Sequence, residues 1–266
     1  MSANLKIIKI KLDIDLFRSA DKRVRNQLIA CMHAHNELAV LNRLLMFSMN
    51  EIGDGELHDS AQSVQMWSVL QILAGKLFET WQMIADRFLK ANPVDPAVRS
   101  LGEDDAASLD FLREYFGIKP LKNSTLRTIR DKTAFHYDSF DFDDAIENLA
   151  TGENNIYLAQ HPANCVYYIG SSLIFRAVFA KIARGGANQG YLSFNEAVMA
   201  GYNVAVKESS LVNLEMHKLL YALIQNLLPV ILGTPMETLE SELIQVLDAP
   251  DPEKVGLPTF IEIGTT

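Results

Sequence analysis

Arginine and histidine stand six residues apart in the run Leu126-Arg127-Thr128-Ile129-Arg130-Asp131-Lys132-Thr133-Ala134-Phe135-His136-Tyr137-Asp138. Arginine can hold a phosphate with a planar fork of donors, and histidine is the side chain that most readily moves a proton near neutral pH. The pair Arg130 and His136 therefore points to phosphodiester chemistry. Between Gly117 and Tyr137 the cations Lys119, Lys122, Arg127, Arg130 and Lys132 face a single anion, Asp131, inside a chain whose net charge is −9. That overall charge argues against a protein that coats nucleic acid non-specifically, because such binding needs many phosphate neutralisations. Any RNA-binding surface must be local, at Lys119, Lys122, Arg127 and Lys132.

Asn123, Arg127 and Arg130 follow an i, i+4, i+7 spacing and share one face of a helix. His136, six positions beyond Arg130, is rotated by about 240° in an ideal helix, so it cannot lie beside Arg130 while the helix is straight. Either the helix bends or ends near Phe135, or the two residues meet across a subunit interface. The bland alternative is a solvated basic helix in which Arg130 pairs with Asp131 or Asp138 and His136-Tyr137 packs at its end.

The segment resembles the Arg-(four to six residues)-His motif of the HEPN superfamily, all-helical proteins that include ribonucleases of toxin–antitoxin and phage-defence systems. The resemblance implies a homodimer in which arginines and histidines of both subunits converge in a cleft that cuts RNA without a metal or other cofactor. His136 would then be general acid or base for the ribose 2′-hydroxyl and the leaving oxygen, and Arg130 would stabilise charge developing on phosphorus. Asp131 falls at the polar position after the family's arginine, but asparagine is frequent there, so aspartate is a departure that works against a nearby phosphate unless it binds Lys132 or orients the histidine; in that supporting role it would act with Tyr137. An antitoxin or other protein partner fits the same picture. The resemblance covers about a dozen residues and the all-helical class, and no signature marks residues 150–266.

Other candidates are weaker. His35 and Asn42 interrupt the apolar seam of the first long helix one heptad apart. They either find hydrogen-bond partners in the core or line the same cleft as Arg130. His33 and Glu37 at i, i+4 could share a metal, yet the chain lacks the paired Glu-x-x-His pattern of di-iron bundles, so no metal site is expected. Cys31 and Cys165 lack CxxC or nucleophile patterns; one disulfide is arithmetically open, but reduced thiols in a cytoplasmic protein are expected.

The elements that must position these residues read as helical almost throughout. With 266 residues and 48% hydrophobic content the chain can bury a substantial core. The seam Val24, Leu28, Cys31, His35, Leu38, Asn42, Leu45, Met49 predicts a helix over 21–49. A second starts at Asp59 or Ser60 and runs past Trp67 and Trp81 to Phe88, stopped by Asn92-Pro93. A third spans about 103–115 and closes at Gly117, and the motif helix begins near Asn123 or Ser124. An apolar helix over 164–183 carries Arg176 and Lys181 and is read as core, not as a membrane span. Ser193-Phe194-Asn195-Glu196 and Thr234-Pro235-Met236-Glu237 read as capping boxes, and between them an amphipathic helix ends before Pro229. Strand signals occur only at Ile7–Leu12 and Thr259–Ile263, enough for a small terminal β-hairpin. The expectation is an all-α bundle of about seven helices, a single domain with a motif-bearing part (1–150) and an accessory part (151–266), no membrane association, and an endoribonuclease activity. Two rivals remain: a non-catalytic HEPN-like module that binds protein or RNA, and a helical bundle whose Met- and Trp-containing cavity holds a small ligand.

Overall fold

The computed structural model describes residues 5–51, 53–90, 95–118, 124–134, 142–149, 155–185, 192–235, 238, 241–246 and 249–262. Among them the chain is all-α apart from one small sheet. Its helices are α1 (Ile14–Ser19), α2 (Lys22–Ser48), α3 (Glu56–Ile84), α4 (Pro96–Arg99), α5 (Glu103–Phe116), α6 (Thr125–Ile129), α7 (Asp143–Glu147), α8 (Tyr168–Arg184) and α9 (Phe194–Leu232). No described helix is long and apolar enough to cross a membrane. Strand β1 (Leu5–Ile10) pairs antiparallel with β2 (Ser241–Val246), with Leu5 opposite Val246 and Ile10 opposite Ser241.

Two compact units are present, and each is assembled from three separated stretches of sequence. The first comprises Met1–Val40, Lys76–Lys122 and Val212–Lys254; the second comprises Leu41–Gly75, Asn123–Leu211 and Val255–Thr266. Helices α2, α3 and α9 each supply residues to both.

In the first unit, Leu28 and Leu38 of α2, Leu77 and Trp81 of α3, Leu112 and Phe116 of α5 and Met216 of α9 are almost wholly withdrawn from water. Burying side chains of this size contributes about 1.5–3 kcal/mol each, before the entropy of ordering them is subtracted. Trp81 stacks on Phe116 at 5.8 Å, and its indole N–H donates to the Gly117 carbonyl at 2.7 Å, so its one polar atom is satisfied. Asp95 is buried and caps α4 by accepting from the Ala97 N–H. It also accepts from Gln27 at 2.9 Å and pairs with Arg23 at 2.9 Å, which ties α4 to α2.

In the second unit, α8 packs with α6 and α7, and its Phe179 meets Trp67 of α3 edge-on at 5.1 Å. Gly201 of α9 lies against the backbone of α8 so closely that an added Cβ would stand 1.9 Å from the Phe179 carbonyl oxygen. Only glycine permits that approach. The capping box at Ser193 forms as its sequence predicts: the Ser193 N–H donates to Glu196, and the Glu196 N–H donates to the Ser193 hydroxyl.

Several element boundaries differ from the expectation. Helix α3 begins at Glu56, ahead of Asp59, and past Ile84 it widens into a π-helical turn over Ala85–Leu89. Helix α8 begins at Tyr168, because Val166 is engaged in a bridge with Tyr157 and residues 162–164 form a 3-10 turn. Helix α9 does not stop before Pro229 but carries it in its last turn, where one missing N–H costs a single hydrogen bond, and ends at Gly233 with φ +66°. The small terminal sheet is present, but its second strand is Ser241–Val246 and not Thr259–Ile263. Ser241–Val246, over which the helix expected from Thr234 would have run, is strand, since pairing with β1 satisfies a backbone that Leu243, Ile244 and Val246 already bias toward that conformation.

Candidate functional site

The motif segment is built on two buried anchors and a distorted helix. Ser124 caps α6, its hydroxyl accepting the Arg127 N–H at 3.2 Å. Leu126 and Ile129 are fully buried, and this fixes which side of α6 faces the rest of the second unit. Beyond Ile129 the α-helix gives way to a π-helical turn, Arg130–Ala134. A side chain accounts for the change: the buried Thr133 hydroxyl donates to the Ile129 carbonyl at 2.5 Å, the acceptor that residue 133's own N–H would use in an α-helix. Turns of this type occur frequently at functional sites.

Arg127 and Arg130 converge on one carboxylate. Arg127 Nε lies 3.2 Å from Asp131 Oδ2, and Arg130 Nη1 lies 2.9 Å from Asp131 Oδ1. The three side chains are 27–37% exposed, and Lys132 is half-buried beside them. The shared face expected from the spacing of Arg127 and Arg130 is therefore realised, and so is the Arg130–Asp131 pair of the bland alternative. Partly exposed pairs of this kind add about 0–1 kcal/mol of stability, so their main effect is to limit the rotamers of two guanidiniums. The four charges at 127, 130, 131 and 132 sum to +2. The remaining motif candidates, Lys119, Lys122, Asn123, His136, Tyr137 and Asp138, lie outside the described residues.

His35 belongs to the first unit, where its ring meets that of His217 edge-on at 4.9 Å. Burial pushes both imidazoles below their ordinary value, and for His217 the neighbouring His35 adds to that effect. His217 was not singled out from the sequence. Its only signal is that His35, on an apolar seam, required a polar partner. Asn42 belongs to the second unit, and its amide reaches Met46 Sδ at 3.9 Å.

Glu37 does not pair with His33 alone: Lys76 holds its carboxylate at 2.7 Å while His33 stands at 3.5 Å. Both cysteines are free. Burial pushes the Cys31 thiol up to about 12, so it is an inert packing group and not a nucleophile.

No family model, no curated protein and no solved structure matches this chain.

Proposed function

We propose that the protein is a metal-independent endoribonuclease of HEPN-like type, acting as a homodimer through a composite site of Arg130 and His136. The observation that supports this reading is the convergence of Arg127 and Arg130 on Asp131 at a π-helical turn, which orients two guanidiniums in the segment whose sequence runs on to His136. A guanidinium already restrained loses less entropy when it engages a phosphate.

In the proposed reaction the ribose 2′-oxygen attacks the adjacent phosphorus as its proton passes to one imidazole. The bond from phosphorus to the 5′-oxygen breaks, and that oxygen takes a proton from the second subunit's imidazole. Arg130 stabilises the dianionic phosphorane between these steps. The products are a 2′,3′-cyclic phosphate and a free 5′-hydroxyl. Incubating the purified chain with mixed-sequence RNA in excess chelator tests this directly. Cleavage leaving cyclic phosphate ends is expected; cleavage that stops when divalent ions are removed, or that leaves 5′-phosphates, contradicts it.

A further inference from the structure

A cavity of about 100 Å³ opens in the second unit, lined among others by Met49, Met66, Trp67, Phe175, Phe179 and Tyr202. Leu45 of α2 and Met49 just past its end, the last members of the apolar seam read from the sequence, form part of its wall. Gly201 sets the opposite wall, since its contact with the Phe179 backbone determines where Phe179 and the neighbouring Tyr202 ring stand, 5.5 Å apart. No charged side chain is among the lining residues.

Its polar side-chain groups include the hydroxyls of Tyr202, Ser63, Ser209 and Ser210. Ser209 is 3% exposed and donates its proton to the Ala205 carbonyl at 2.6 Å. A hydroxyl so engaged still has acceptor capacity, so a ligand approaching Ser209 must bring a donor. A comparable apolar cavity of about 150 Å³ holds benzene, and methionine side chains adapt to irregular occupants. A molecule fitted to these walls gains dispersion contacts with them.

We propose that this cavity is a binding site for a small, neutral, single-ring molecule bearing one hydrogen-bond donor, with the ring among Met66, Trp67, Phe175 and Phe179 and the donor directed to Ser209. The site is independent of the RNA reading. Phenol is the probe, titrated into the full chain labelled with ¹³C at methionine methyl groups. Saturable shifts are expected at Met49 and Met66, with Met216, buried in the first unit, unmoved. Ser209→Ala should weaken phenol about fivefold, the size of one neutral hydrogen bond, while leaving toluene binding unchanged. Ser63→Leu, which adds bulk to the wall, should abolish both, and benzoate should not bind because its carboxylate finds no partner. Absence of saturable shifts, shifts spread equally to Met216, equal binding of benzoate, unchanged phenol binding in Ser209→Ala, or unchanged binding in Ser63→Leu would each overturn the proposal.

Discussion

Asp131 is the carboxylate on which Arg127 and Arg130 converge. It restrains Arg127 and Arg130 but cancels one of their charges, so Asp131→Asn removes the cancellation at the cost of the restraint. Because the overall charge is −9, local charge governs any attraction to RNA, and salt screens it. Asp131→Asn is expected to tighten RNA retention a few-fold at low ionic strength, an advantage that shrinks as salt rises. Equal retention by Asp131→Asn and wild type in filter binding would place the contact elsewhere. The His35–His217 pair makes a different residue-scale prediction. Both groups titrate lower in the folded chain than the ordinary value of 6.5, so below that pH the unfolded chain binds more protons than the folded one. Stability must then rise with pH between the depressed folded values and 6.5, and fall on acidification through that window. Denaturant midpoints at pH 7.5 and 5.5 should show the loss, and His217→Gln should reduce it.

At the scale of elements, Gly201 is the residue whose replacement has the clearest geometric consequence. Gly201→Ala gains helix propensity of about 1 kcal/mol but drives a methyl group into the Phe179 backbone, which a side-chain rotation cannot relieve. A net destabilisation of about 2 kcal/mol is expected from overpacking, read as a lower denaturant midpoint. The sequence made α2, α5 and the Ser193 capping box legible, since their signals are local: a periodic seam, an acidic first turn with Gly117 at the helix's far end, and a reciprocal Ser/Glu pair. It misled where a distant partner decided the outcome. Ser241–Val246 becomes a strand because β1 lies some 230 positions earlier in the chain, and α9 runs through Pro229 because one missing hydrogen bond near a helix end is tolerated. The site was legible to the same degree. Spacing alone placed Arg127 and Arg130 together, but the Thr133 back-bond that widens the turn, the meeting of His35 with His217, and the cavity between α3, α8 and α9 arise from packing.

For the molecule as a whole, the central claim is that two copies of this chain assemble one site for cutting RNA. Charge and fold class are compatible with that claim without requiring it: helical assemblies serve many functions, and function lies in the residues they carry. The decisive groups are Arg130, held by Asp131, and His136, six positions on. The most direct measurement is RNA cleavage in chelator by wild type, Arg130→Ala and His136→Ala, each first shown by circular dichroism and sedimentation to keep the helical content and oligomeric state of the wild type. Wild type is expected to cleave, and each variant to lose at least a hundredfold in rate, the usual scale for removing one general acid–base group or one charge-stabilising donor. Cleavage by both folded variants at the wild-type rate, or no cleavage by the wild type on any RNA, would contradict the composite site.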